Sequence, residues 1–154
     1  DSIENFCLKI TAGKQAQTTK DVMIIARIES LILDQGMEDA LSRARAYVHA
    51  GADAVMIHSR RKEPDEIFEF CDRFSGEFPH VPIVVVPSSF NAVYEQELIN
   101  HNVRIVIYAN QLIRSAFPAM QRTAQSILEH GRCKEASEHC MSIKDIITLI
   151  PGAN

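Results

Sequence analysis

Val22-Met-Ile-Ile-Ala-Arg-Ile-Glu29 is a short apolar run that ends in an arginine and a glutamate two residues apart. Apolar side chains fill every position from Val22 to Ala26, which reads as a strand covered on both faces, with the charges arriving where the strand emerges. In a parallel α/β protein that carboxyl end is where ligands bind. At period-2 spacing Arg27 and Glu29 point to the same side of an extended backbone, so one can hold an anion while the other orients it or holds a cation. A surface ion pair at a strand exit is the plainer reading of these two residues alone. The same pattern returns, however, at Ala54-Val-Met-Ile-His58, where an apolar run again ends in a polar residue.

Working outward, helices and strands alternate. Ser2 can cap a helix with Ile3, Phe6, Cys7 and Ile10 at helical spacing, and Gln15 to Lys20 makes a polar connection to the first strand at Val22. After the loop Ser30 to Gln35, Gly36 leads into a helix carrying Met37, Ala40, Leu41, Ala44, Tyr47 and Val48 on one stripe, closed by Gly51. The second strand, Ala54 to His58, is followed by the loop Ser59 to Glu63. Pro64, Asp65 and Glu66 have the form of a helix first turn; Ile67, Phe70, Cys71 and Phe74 supply the buried face, and Gly76 and Pro79 end it. Pro82 to Pro87 is a third strand fenced by prolines, with Ser88, Ser89 and Phe90 at its exit. A short helix over Ala92 to Asn100, with Val93, Leu98 and Ile99 inward, precedes a fourth strand from Val103 to Ala109 that ends in Asn110. A long helix runs from about Leu112 to Glu129 and stops at Gly131, and Ser142-Ile-Lys-Asp145 opens a last helix through Ile146, Ile147 and Leu149.

Repeated strand-plus-helix units of about 20 to 30 residues match a (β/α) barrel, but a closed barrel needs eight strands and about 250 residues. Four strands in 154 residues therefore read as half a (β/α)8 TIM-type barrel, four parallel strands each followed by a helix, plus a C-terminal helix, all in one domain over residues 1-154. An open doubly wound sheet of four strands is the alternative. With 46% hydrophobic residues, 23% charged residues and a formal net charge of -4, the chain is expected to have a real core and not to bind nucleic acid or anionic membranes in general. The opening Asp1-Ser2-Ile3-Glu4 has no initiator methionine and no basic signal-peptide start, so a boundary inside a longer polypeptide is expected. Cys7 and Cys71 fall on apolar helical faces. Cys133 and Cys140, with His130 and His139 nearby, fit no compact zinc spacing, and reduced thiols of a cytoplasmic protein are the simpler account.

At the strand exits stand Arg27 and Glu29, His58 and Ser59, Ser88 and Ser89, and Asn110. No Gly-rich phosphate loop, Gly-x-Ser-x-Gly elbow or His-Glu-x-x-His helix occurs. Arginine, histidine and hydroxyls suit an anionic, oxygen-rich ligand, since guanidinium grips carboxylate or phosphate as a fork while imidazole adds a point donor. A lone strand-end histidine is also commonly structural, and Arg60, Arg61 and Lys62 read first as a solvated loop face.

Ile25-Ala-Arg-Ile-Glu29, Ala50-Gly-Ala-Asp-Ala-Val-Met-Ile-His-Ser59, Val84-Val-Val-Pro87 and Val106-Ile-Tyr-Ala-Asn110 together resemble the phosphoenolpyruvate mutases of the isocitrate lyase and phosphoenolpyruvate mutase superfamily, over about residues 3 to 130. The His-Ser and Tyr-Ala-Asn exits narrow the resemblance to the mutases and the closely similar phosphonopyruvate hydrolases. It implies the C-terminal half of the barrel and a Mg²⁺-dependent interconversion of phosphoenolpyruvate and phosphonopyruvate, which moves a phosphoryl group from an enol oxygen to carbon. Arg27 would then hold the phosphoryl oxygens and His58 would assist. Glu29 would orient the arginine or join the metal's outer shell, and Ser59, Ser88 and Asn110 would line the pocket wall. The family's magnesium-binding acidic cluster and its closing loop lie on the first four strands, and nothing in this chain matches them; Leu33-Asp34 also departs from the small Ala-Gly pair common at that place. The resemblance thus implies a magnesium site completed by the other half, a small anionic substrate, and a homo-oligomer with C-terminal helix contacts. Phosphonopyruvate hydrolysis is the alternative activity, and a non-catalytic half-barrel assembly module the alternative of another class.

Overall fold

The computed structural model describes residues 1–150. The chain forms two compact units, one spanning Asp1–Ala109 and a second that begins at Asn110.

The first unit opens with α1 (Ile3–Ala16), which starts where it does because the Ser2 hydroxyl accepts a hydrogen bond from Asn5 N at 3.1 Å. Three strand-plus-helix units follow: β1 (Ile25–Ile28) and α2 (Gly36–His49), β2 (Ala54–Ile57) and α3 (Asp65–Glu77), β3 (Ile83–Val85) and α4 (Glu95–Asn100). The unit closes with β4 (Val103–Val106). All neighbouring strands are parallel and the sheet runs in sequence order, β1-β2-β3-β4, as four consecutive strands of a (β/α) barrel do. A register shift between Ile83 and Val84 interrupts the β3–β4 ladder.

Helices α2 and α3 press one apolar stripe each onto the sheet. Ala40, Leu41, Ala44 and Tyr47 are buried from α2, and Ile67, Phe70, Cys71 and Phe74 from α3, against Ile28, Val55, Ile57, Ile83 and Val85. Those helical residues recur at three- and four-residue spacing, and their shared burial is the chief source of stability here. Burial pushes the Cys71 thiol up to about 12, with the Asp72 charge adding to it, so it packs as a small apolar side chain.

The first strand begins later than its apolar run suggests. Pairing starts with Asp53 N donating to Ile24 O at 2.9 Å and Ile25 opposite Ala54, so Arg27 lies inside the ladder, level with Met56, and not beyond it. Val22 is 58% exposed, Met23 is exposed as well, and the Val22 carbonyl is taken by Gln17 Nε2 at 2.8 Å. Only Ala26 and Ile28 of β1 face the core, while Ile25 and Arg27 point away from it; the two-sided burial expected for this strand belongs instead to β3. Other boundaries shift as well, and β4 ends at Val106 where Ala109 was expected. Gly76 is inside α3, α4 begins at Glu95, and Ile99 is exposed where an inward position was expected.

The Ala50–Ala54 stretch joins α2 to β2 at the opposite end of the strands from Arg27. Gly51 has φ +105°, a conformation that disfavours any side chain, and a Cβ there would meet Lys14 Cγ at 3.2 Å. Beside it the Asp53 carboxylate accepts Ile24 N at 2.7 Å and lies 2.9 Å from Lys14 Nζ through both oxygens. One side chain thereby ties α1, β1 and β2 together.

The second unit consists of α5 (Gln111–His130), a 3₁₀ turn over Glu135–His139 and α6 (Ile143–Ile147). Gly131, left-handed at φ 63°, ends α5, and Ser142 Oγ caps α6 by accepting Asp145 N at 3.1 Å. The 3₁₀ turn has no apolar period to announce it, and Leu149 lies beyond α6.

Candidate functional site

Residues Ile28 and Ile57 are the last paired positions of β1 and β2, so Glu29 and His58 leave the sheet side by side. Arg27, two residues before Glu29 on an extended backbone, reaches the same mouth. Its Nε donates to Glu29 Oε1 and its Nη2 lies 2.7 Å from His58 Nδ1. A guanidinium has no acceptor, so Nδ1 accepts in this contact and the imidazole proton is assigned to Nε2. His58 Nδ1 is also 3.6 Å from Glu29 Oε1. Arg27 is therefore held on two of its donors, while half of its side chain remains exposed and the rest of the fork is free for a ligand.

Next to this triad lies a cleft of about 270 Å³ whose lining includes Arg27, Glu29, Ser30, Arg43 and Tyr47. Beside it runs a half-buried network: Ser30 Oγ donates to Asp39 Oδ2 at 2.6 Å, and Arg43 donates to the same oxygen at 2.7 Å and to Tyr47 Oη at 3.2 Å. Burial alone would push the Asp39 carboxyl up, but the bonds from Ser30 and Arg43 outweigh it and hold the group below its usual range. Ser30, Asp39 and Arg43 were not singled out from the sequence, and Tyr47 only as part of an apolar stripe. The available signal was the four-residue spacing of Asp39, Arg43 and Tyr47 along one helix.

The remaining strand-exit residues separate by role. Ser59 is fully buried and its hydroxyl is occupied twice, donating to Glu66 Oε1 and accepting Arg61 N at 3.0 Å. Its carbonyl accepts Ser89 Oγ at 3.1 Å, which joins the β2 and β3 exits. The Ser88 hydroxyl is the one buried side-chain oxygen without a hydrogen-bond partner among the described residues. Arg60, read as solvated, donates to Ile32 O and lies 3.5 Å from Asp34, bridging the β2 and β1 exit loops. Asn110 precedes α5 in the second unit, where its Oδ1 accepts Arg114 Nη1 at 3.4 Å.

Among the described residues no three His, Cys, Asp or Glu side chains converge as a metal site. Glu29 is committed to Arg27, so the donors of this chain by themselves do not fit Mg²⁺, which requires an octahedron of oxygens. No helix among the described residues is long and apolar enough to cross a membrane.

A family model described as phosphoenolpyruvate phosphomutase matches residues 2–128. The chain is 40% identical over 148 residues to the phosphonopyruvate hydrolase of Variovorax sp. (strain Pal2), covering 96% of this chain and 50% of that protein. It is 38% identical to the phosphoenolpyruvate phosphomutase of Streptomyces hygroscopicus, covering 96% of this chain and 46% of that one. A crystal structure of phosphonopyruvate hydrolase in complex with oxalate and Mg²⁺ superposes with a TM-score of 0.87 at 39% identity, over 96% of this chain and 51% of that one. The chain thus spans about half the length of the relatives it matches.

Proposed function

Because the chain belongs to the phosphoenolpyruvate phosphomutase family, we propose that it supplies the Arg27, Glu29 and His58 face of an active site interconverting phosphoenolpyruvate and phosphonopyruvate. In this reading it forms the C-terminal half of the barrel of a cytoplasmic homo-oligomeric enzyme, and the other half brings the carboxylates that hold Mg²⁺. The observation that carries the proposal is the contact of Arg27 Nη2 with His58 Nδ1, which ties an arginine and a histidine from adjacent strand ends together at one mouth.

The chemistry asks little else of these residues. In the forward direction the P–O bond of the enol phosphate breaks and a P–C bond forms at the methylene carbon, with no change in proton count. Phosphoryl transfers pass through loose transition states with charge spread over the phosphoryl oxygens, so positioning and charge neutralisation dominate. Arg27 grips two of those oxygens with its free N–H groups. Glu29 holds the guanidinium plane, and His58 donates Nε2–H as a neutral imidazole. The unpartnered Ser88 hydroxyl at the β3 exit is a further donor for the same ligand. When bound, Mg²⁺ offsets anionic charge on the substrate.

Hydrolysis is the second reading, favoured by the 40% identity to the hydrolase. There the P–C bond breaks, water oxygen joins phosphorus, and carbon gains a proton to give pyruvate and phosphate. Phosphorus NMR of phosphonopyruvate with Mg²⁺, this chain and a complementary barrel half from the family distinguishes the two. We expect the phosphonate signal to give way to an enol phosphate. Free inorganic phosphate would decide for the hydrolase, and no conversion by a properly assembled barrel would overturn the reading.

A further inference from the structure

We propose that Glu66 is a positioning residue for His58, acting through Ser59. The inference rests on the reading of Arg27 and His58 given above and extends it to a residue that touches no ligand. Glu66 stands in the first turn of α3, where the helix N-terminus favours a carboxylate, and its side chain is only 13% exposed. Both of its oxygens are used: Oε1 accepts the Ser59 hydroxyl and Oε2 lies 3.1 Å from Arg61 Nε. Ser59 in turn accepts Arg61 N through the same hydroxyl, and Ser89 through its carbonyl.

His58 therefore sits between two fixed points. On one side Ile57 is paired in the ladder with Ile28, and on the other Ser59 is buried and anchored to α3. The backbone on either side is thus fixed, and the ring is aimed at Arg27, where Nδ1 accepts. Without the Glu66 acceptor the Ser59 hydroxyl is a buried donor lacking its partner, and the loop must move to hydrate it. That movement carries His58 away from Arg27 and frees its ring to exchange tautomers. Ser59 thus serves the site from behind, which accounts for a hydroxyl that flanks the histidine and yet faces the core.

The test is nitrogen NMR of the chain labelled with ¹⁵N-histidine, the His58 signals being identified by their loss in His58→Gln. In the wild-type chain the His58 shifts should be those of a neutral ring protonated at Nε2. Glu66→Ala and Ser59→Ala should move both ring nitrogens toward the average of the two tautomers. Glu66→Gln, which keeps an oxygen acceptor for Ser59, should restore most of the wild-type pattern, and Glu63→Ala on the exposed loop should change nothing. Circular dichroism of each variant guards against unfolding, and Glu66→Gln remains informative if Glu66→Ala does not fold. If Glu66→Ala and Ser59→Ala are folded and the His58 shifts stay at wild-type values, the positioning role is wrong while the Arg27–His58 contact stands. A shift in Glu66→Gln as large as that in Glu66→Ala also overturns the role. A wild-type ring not protonated at Nε2 removes the contact itself, and the inference with it.

Discussion

Replacing Asp53 with alanine tests whether the clamp at the far end of the strands holds β1 in register. The substitution removes the acceptor of Ile24 N at 2.7 Å and the partner of Lys14 at 2.9 Å. A hydrogen bond to a charged group contributes about 1.5–3 kcal/mol, and an ion pair this accessible adds roughly 0–1 kcal/mol. The expected loss is about 2–3 kcal/mol, large against the roughly 5–15 kcal/mol that stabilise a domain. Asp53→Asn keeps a neutral acceptor for Ile24 and should lose about 1 kcal/mol. Urea unfolding of the three proteins measures both. The same group sets a pH dependence, because the Ile24 N–H foremost, and Lys14 after it, hold the Asp53 carboxyl below its ordinary 3.8. A depressed carboxyl contributes stability that is fully present above the unfolded-state value and is lost as pH falls through the folded one. The gap between wild type and Asp53→Ala should therefore close as pH drops below about 4. A gap under about 0.5 kcal/mol at neutral pH, within the range of ordinary surface substitutions, or one that persists unchanged at pH 2, would refute the account.

Arg27→Lys in the assembled enzyme should lose most turnover with the fold intact, since an ammonium cannot reproduce the paired donors; His58→Ala should lose less, and unchanged turnover would remove Arg27 from the site. A disulfide reagent at pH 8 should modify Cys133 and Cys140 rapidly and leave Cys71 untouched until the chain is unfolded, because the first two are exposed and Cys71 is buried with its thiol pushed up to about 12. Sedimentation of the chain alone should show self-association, as β1 and β4 are both edges of the sheet and Val22 and Met23 are exposed; a strictly monomeric species would contradict this.

The order of elements was legible because α2 and α3 carry full apolar stripes and the first three strands are bounded by Gly, Pro or a charge. Arg27, Glu29 and His58 were legible for a related reason: period-2 spacing and position at a strand end place side chains at one mouth without knowledge of packing. Where pairing starts was not legible. Val22 to Ile25 are all apolar, and only the Asp53 contacts, which come from a residue far along the chain, decide that the ladder begins at Ile25. Ser59 shows the complementary limit. Its hydroxyl follows a site histidine and looks like a pocket donor, yet its partner is Glu66 on the next helix, and no local pattern says which way a hydroxyl turns.

Strand order that follows the chain also bears on how quickly the sheet can assemble. Each ladder joins strands separated by one helix, so every closure spans roughly 20 to 30 residues and its entropic cost grows only with the logarithm of that length. Contacts this local correspond to the low-contact-order end of parallel sheets, which shortens the search relative to topologies whose neighbours are distant in sequence. When this chain refolds from denaturant, β2 can pair with β1 once α2 has formed, and each later strand meets a template already in place. In such refolding the rate-limiting event falls on the first pairing within this chain, Ile25 to Ala54, and a slow-folding variant of it should be sought there and not at β4.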